Sequence, residues 1–257
     1  FDRTSDLATP LTHSCTYQSL VDDLLDHRLN KVTVNVSGKT DTAVKKKTYD
    51  LNTKIDLFFA QYGGAPFPEA VEANEVELAS VSQREKEIRA RPNSSKEGGA
   101  DLNDAISSLP EILAKKANLE AHTNILQAVM REVAARDVPT FFEAEQGILQ
   151  SGGSFDQPAV LELLGDGSKG TIVDRTRLLA IVLLSQEKSS KSLEEEFIAA
   201  FSAGCESSGE EGKAYNTAEE VADALKSVAF LMKLHKLQGP MGGMGGGLDG
   251  GMGGGGG

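Results

Sequence analysis

The chain has 257 residues, 39% of them hydrophobic and 25% charged, with a formal net charge of −12, 5% aromatics and no Trp. Those are ordinary globular proportions, enough for one large domain or two modest ones packed mainly by Leu, Val, Ile and Ala. The acidic balance argues against nucleic-acid binding, which needs clustered Lys and Arg to displace counterions, and against unaided adsorption to anionic lipid.

The first residues, Phe1-Asp2-Arg3, read as the tail of a strand already under way, so the N-terminus is expected to cut through a sheet and the chain to be a fragment. His13 to Leu29 carries apolar residues at Tyr17, Leu20, Val21, Leu24 and Leu25, the i, i+3, i+4 spacing of a helix. Lys31 to Val36 and Ala43 to Tyr49 are short β-type runs, and the stretch Ser37 to Thr42 between them, with Gly38, predicts a hairpin. From Asp56 onward helical patterns dominate. Phe67, Val71, Asn74, Leu78, Val81, Glu85 and Ile88 recur at heptad spacing, so one face of that helix packs and the rest is charged. Arg91 to Asp101 (RPNSSKEGGAD) breaks the pattern with Pro, Gly and Ser and reads as a mobile loop.

Beyond that loop, Ile112, Leu119, Leu126 and Val133 repeat at heptad spacing, while Leu109, Lys116, Thr123 and Met130 form a half-polar second line. A helix from Leu102 to Ala135 would run about 50 Å at about 1.5 Å per residue. Paired with the preceding helix it makes a long antiparallel hairpin, 67–135, with the loop at its tip. The half-polar line has two readings, a satellite packing surface or a groove for another amphipathic helix. Pro110 interrupts the pattern, at a cost of about 3 kcal/mol in a helix interior. The sequence therefore favours a helix that starts near Pro110, capped by Ser107 or Ser108 with Glu111 in its first turn. The alternative is a kinked continuation that a bound partner stabilises.

Phe141 to Leu149 and Pro158 to Leu164 predict short helices split by Gly and Ser. Thr171 to Gln186 is apolar on most sides and is expected to be the most buried helix. Its run Leu178 to Leu184 falls far short of the roughly 20 residues that cross a bilayer. Ser192-Leu-Glu-Glu195 and Thr217-Ala-Glu-Glu220 have capping-box form and start helices toward Phe201 and His235. The last 19 residues, from Gly239, hold 13 Gly and 3 Met. Such a tail cannot offset the entropy of ordering, so disorder is expected there and the fold should end near Leu237.

Site chemistry is sparse. Gly165-Asp-Gly-Ser-Lys-Gly170 lacks the GxxxxGK[ST] order of a phosphate loop and the carboxylate spacing of a calcium loop, and reads as a plain loop. His13, His27, His122 and His235 are dispersed without metal-ligand spacing, and nothing fixes Asp2, His13 and Ser14 as a triad. Lys45 to Lys47 is a small basic patch that reads as a solvated strand edge. Cys15 and Cys205 are isolated and read as reduced thiols; with no secretory signal, the expected location is the cytoplasm. No enzymatic activity, cofactor or metal is expected.

Asp2-Arg3, Asp6, Thr9-Pro10-Leu11, His13, Thr16-Tyr17-Gln18 and Asp23-Leu24-Leu25 resemble the DRxxDxxTPLxHxxTYQxLxxDLL signature of the Sec/Munc (SM) family of syntaxin-binding proteins, chaperones of SNARE assembly. Leu29-Asn30-Lys31-Val32, Lys45 to Leu51 (KKKTYDL), Gly64 to Glu69 (GAPFPE), Ser107 to Leu113 (SSLPEIL) and His122-Thr123-Asn124 look like the Sly-type branch, which works between endoplasmic reticulum and Golgi. The likeness runs in order from Phe1 to about Leu237. Cys15 departs from it, standing where that branch usually has Trp.

The resemblance implies a fold that is mostly α with a small β portion. Residues 1–56 would end the first half of SM domain 2, a strand–helix–β-hairpin remnant of an α/β domain. Residues 57–237 would be the helical part of domain 3 with hairpin 67–135, and 238–257 the tail. In the family this hairpin brings vesicle and target SNARE helices into register, a hinge proline falls on Pro110, and Arg91 to Asp101 is the counterpart of a loop that restrains the groove. The implied function is SNARE binding that promotes SNARE-complex assembly in ER-to-Golgi transport. The implied binding residues are Pro110, Lys116, Leu119, Thr123, Leu126 and Met130, with Leu119, Leu126 and Met130 as anchors. Implied partners are syntaxin-type and vesicle SNARE helices and tethering factors, with no nucleic acid and with ER and Golgi membranes reached only through partners. The vacuolar or endosomal branch of the family, or a non-enzymatic helical adaptor, are the alternatives.

Overall fold

The structure is a computed structural model that describes residues 6–37, 44–90, 99–151, 154–186, 191–207 and 216–238, with backbone alone at 37, 44 and 99–106. The expected opening strand, the tip of the β-hairpin, most of the Arg91–Asp101 loop and the Gly/Met tail lie outside the described residues. The rest is mostly helical with one small antiparallel sheet, as expected. It packs as two units, one of His13–Pro139 and one of Thr140 onward joined by the residues up to Thr12.

In the His13–Pro139 unit, α1 (Tyr17–Leu24) is shorter than its apolar spacing suggests. Thr16 caps it by accepting from the Ser19 N–H, and at its other end the chain turns directly into β1 (Asp26–Arg28), a strand the sequence reading missed. β2 (Lys31–Ser37) and β3 (Val44–Asp50) form the expected hairpin, in the order β1-β2-β3 with Val32 opposite Tyr49 and Val34 opposite Lys47. Period-2 alternation buries Val32 and Val34, while Lys45 to Lys47 are all exposed. Asp56 caps α2 (Leu57–Tyr62), and α3 (Phe67–Ala90) follows.

The helix that follows, α4, is continuous from Gly99 to Arg136, 38 residues with Pro110 inside it. The expectation of a helix starting near Pro110 is therefore overturned. Ser107 and Ser108 lie within α4 instead of capping it, and the loop before it ends by Gly99. The physical reason is α3. Asn74 pairs with Thr123, and Glu85 with Lys116, so the two helices run antiparallel in a register that brings the last turn of α3 level with Pro110. Packing along that length offsets the roughly 3 kcal/mol that an interior proline costs.

One buried network joins the unit. His122, from the middle of α4, is 1% exposed and lies among the Tyr17, Phe58 and Phe59 rings. Its Nε2 sits 3.0 and 2.9 Å from the two oxygens of Asp56, and its Nδ1 sits 2.9 Å from the Tyr17 hydroxyl. Asp56 Oδ1 also accepts the Phe59 N–H at 3.0 Å. All partners are satisfied when Nε2–H donates to the carboxylate and Tyr17 Oη–H donates to Nδ1. The core around it takes in Tyr17 to Leu51 as well as α2, α3 and α4, so the sequence boundary at 56/57 falls inside one packed body.

The second unit centres on α7 (Ile172–Ser185), whose residues Leu178 to Leu184 are all buried, as their composition predicts. It starts at a capping box between Thr171 and Asp174. α5 (Val138–Gln150), α6 (Gln157–Gly165), α8 (Lys191–Ser207) and α9 (Ala218–Gln238) complete it. The Thr217–Glu220 capping box forms as read, with Glu220 accepting from the Thr217 N–H at 2.7 Å. The one at Ser192 does not, because α8 has already begun at Lys191. α6 and α8 cross closely at Gly204, where a Cβ would stand 2.0 Å from the Leu164 carbonyl oxygen.

Two outcomes follow. Gly204→Ala forces α6 and α8 apart and should cost about 2 kcal/mol or more of unfolding free energy, read from urea titration. Burial alone would raise the Asp56 pKa, but the bonds from His122 and the Phe59 N–H outweigh it and hold the group below its ordinary value. The folded protein thus binds this proton more weakly than the unfolded chain. Its stabilisation is complete above the unfolded carboxylate range, about 4, and disappears as pH falls through the lower folded value. Asp56→Asn should flatten the acid limb of a stability–pH curve and cost about 2 kcal/mol at neutral pH; an unchanged acid limb contradicts the assignment.

Candidate partner-binding face of the helical hairpin

Along the α3–α4 seam, polar pairs alternate with apolar contacts. Asn74 Nδ2 donates to Thr123 Oγ1 at 2.8 Å, and Thr123 Oγ1 in turn donates to the Leu119 carbonyl at 3.0 Å. Lys116 Nζ donates to Glu85 at 2.7 Å, Arg89 reaches the same carboxylate at 2.8 Å, and Lys115 meets Glu77 at 2.7 Å. The Lys116 bond is the main reason that Glu85 is held below the usual carboxylate range, and the Glu85 bond raises Lys116 in return. Asn74 Oδ1 is buried and has no hydrogen-bond partner. That is a local cost the surrounding contacts must carry.

Of the six residues singled out from the sequence, four are turned inward or engaged by α3. Leu119 and Leu126 are 1% and 3% exposed and belong to the core beneath α4, so in this state they are packing residues and not surface anchors. The apolar heptad line that holds them, with Ile112 and Val133, is the one α4 turns toward its own unit. Lys116 and Thr123 are held by Glu85 and Asn74. Pro110 and Met130 are exposed, Met130 by 52%, but they project from different sides of the helix.

An open surface lies between α2 and the hairpin. Ile55 and Leu57 are 73% and 77% exposed, one on each side of the buried capping residue Asp56. They flank a groove of about 490 Å³ whose walls are α2 and the hairpin, with Phe58, Gln61, Glu77, Ala114, Lys115, Asn118 and Leu119 completing its lining. The sequence reading passed over both residues because they fall at the point where its patterning changed from mixed to helical. The available signal was the alternation Ile55-Asp56-Leu57, in which a buried N-cap between two apolar side chains turns both outward.

The signature residues do structural work. Asp6 Oδ1 accepts the Ala8 and Thr9 N–H groups at 3.0 and 2.9 Å and fixes the short 3-10 turn Thr9–Leu11; Thr16 caps α1; Tyr17 enters the buried network. His13 is buried and Cys15 is exposed. In the Gly165–Gly170 loop, the buried Arg175 donates Nη2 to the Asp166 and Lys169 carbonyls at 2.8 and 2.5 Å, an interior support for the loop. Among the described residues no group of three His, Cys, Asp or Glu side chains is placed to hold a metal ion, and no helix is long and apolar enough to cross a membrane.

Comparison with known proteins agrees with this architecture. "Sec1 family domain-containing protein 1" of Homo sapiens is 37% identical over 227 residues, which are 79% of this chain and 35% of the human protein. "Protein sly1 homolog" of Drosophila melanogaster is 36% identical over 220 residues, 80% of this chain and 34% of the fly protein. The chain thus spans about a third of the length of these relatives. Among solved structures, the SM protein Vps45 in complex with the Qa SNARE Tlg2 superposes with a TM-score of 0.65 at 21% identity, covering 90% of this chain and 39% of that one. The Unc18–syntaxin 1 complex from Monosiga brevicollis gives 0.59 at 20%, covering 79% and 37%. The Sec1 family model matches residues 1–247, and with relatives that carry the Sly1 name on the same stretch, this chain belongs to the Sec1 family.

Proposed function

We propose that this chain is the hairpin-bearing part of a Sly-type Sec1-family protein, that it binds SNARE helices without enzymatic chemistry, and that it promotes their assembly in ER-to-Golgi transport. The observation that carries the reading is α4, a 38-residue helix that continues through Pro110 in the partnerless chain. A helix of that length, continuous through its proline and packed along α3, is a rail on which another helix can lie in register. The two similar SM structures are complexes with Tlg2 and with syntaxin 1, which supports a syntaxin-type partner here. Tethering factors, and attachment to ER and Golgi membranes through such partners, follow from the same reading.

The docking face is the groove between α2 and the hairpin. Ile55 and Leu57 are its exposed apolar anchors, and Leu119 forms part of its floor. Lys116, Thr123 and Leu126 serve by fixing α4 to α3 and the core, while Pro110 and Met130 are exposed positions on the rail that a partner can touch. A partner helix that covers Ile55 and Leu57 removes two large apolar side chains from water, the kind of contact that dominates helix-in-groove affinity.

The test is binding of SNARE cytoplasmic segments to the folded chain. Leu57→Asp together with Ile55→Asp should weaken binding roughly tenfold or more while leaving the thermal transition in place, because both side chains already face solvent. Met130→Asp should weaken it less. Undiminished binding by the folded double variant would remove the groove from the account.

A further inference from the structure

We infer that the second unit carries a separate docking groove, between α5 and α6, for a cationic, extended segment of a partner protein. The groove is about 440 Å³, within the range of pockets that enclose a few side chains. Its floor is apolar, formed by Phe155, Val160 and Leu163. Its rim is acidic. Glu143, Asp156, Glu162 and Asp166 line it against the single cation Lys169.

These carboxylates are not consumed by the fold. Glu143 and Glu162 are exposed and have no hydrogen-bond or ion-pair partner among the described residues. Asp156 uses Oδ1 to cap α6, accepting the Ala159 N–H at 3.2 Å, and Asp166 uses Oδ1 to accept from the Ser168 N–H and hydroxyl at 2.9 and 2.6 Å. Both residues line the groove. Buried Arg175 braces the Asp166–Lys169 turn from behind through the two carbonyls it binds, so this part of the rim is held in place before any ligand arrives.

Gly147 points independently to an occupant. It lies inside α5, where glycine costs about 1 kcal/mol against alanine. Nothing in the fold requires it, since a Cβ built there meets no atom within 4 Å. The other close glycines of this unit differ: Gly204 has the Leu164 carbonyl where its Cβ would be, and Gly170 has φ +65° with the Phe141 ring at 2.6 Å. Gly147 lines the groove. Its missing side chain leaves room for a ligand backbone to come close to the helix.

An apolar floor with an acidic rim and a bare helix wall suits a main chain with one apolar side chain flanked by Arg or Lys. Arginine fits best, because its planar fork meets a carboxylate bidentately. The same rim repels phosphate backbones and anionic headgroups.

The probe is a short amidated, fluorescein-labelled peptide with a central leucine flanked by arginines, titrated against the intact chain by fluorescence anisotropy. Binding that weakens steadily with salt is expected. Gly147→Leu should reduce affinity roughly tenfold or more by filling the groove. It should not lower the thermal midpoint, since leucine is the better helix former. Glu143→Lys with Glu162→Lys should also abolish most binding. Glu72→Lys with Glu75→Lys, an equal charge change on α3, should not. Absence of peptide binding overturns the inference. So does equal binding by Gly147→Leu, or an equal loss with the α3 pair, which would mark the attraction as the general acidity of the chain.

Discussion

Everything in the His13–Pro139 unit depends on the contact between His122, Asp56 and Tyr17. The three residues come from the middle of α4, the N-cap of α2 and the first turn of α1, separated by 66 and 105 residues of sequence. A buried carboxylate is costly unless its charge is met by donors, and here His122 and the Phe59 N–H meet it. The same carboxylate starts α2. Burial, and to a lesser degree the Asp56 charge, push the Tyr17 hydroxyl well above its ordinary pKa, so it stays protonated as the donor the network needs. α4 is therefore pinned at its centre, and both of its halves take their positions from that point. Toward its C-terminal end it is tied to the sheet and α1 through Asn124 to Tyr49, Arg131 to Asn35 and Arg136 to Asp23. Toward its N-terminal end, Lys115 and Lys116 tie it to α3 through Glu77 and Glu85.

The contacts with α3 explain how a proline survives inside a long helix. The missing hydrogen bond at Pro110 falls in the half of α4 where the seam with α3 combines the Lys115–Glu77 and Lys116–Glu85 ion pairs with apolar contacts of Leu78, Val81 and Ile112. The hairpin is formed, and the ion pairs in this stretch are of the kind that water and salt weaken most. In the proposed reading, a partner helix laid along the hairpin adds contacts of its own there, which is how binding energy can act on the conformation of the rail.

Much of this was legible in the sequence. The β-hairpin, the length of α3, the buried run of α7 and the Thr217 capping box all follow from local chemistry: period-2 alternation, heptad spacing, an apolar stretch, a Ser/Thr-x-x-Glu pattern. The errors were made where tertiary contact overrides local preference. Pro110 carries a real local penalty, but the energy that opposes it comes from α3, across a loop. The burial of Leu119 and Leu126 was not legible either, since their spacing suits both a core and a docking face. His122, which among dispersed histidines gave no metal signal, became the centre of a network no spacing rule can see. Ile55 and Leu57 were hidden at a change of patterning, although the residue between them was the clue to their exposure.

The account rests on α4 being one helix through Pro110 in the free chain and the rail for a SNARE helix when one is present. Hydrogen exchange read residue by residue along α4, with and without a SNARE cytoplasmic segment, tests both halves at once. The prediction is measurable protection on both sides of Pro110 in the free chain, with the residues before it exchanging faster than those around His122. Added SNARE should then raise protection in α2 and along α4. Free-chain exchange at the unprotected rate throughout the residues before Pro110, or SNARE-induced protection confined to the second unit, would contradict it.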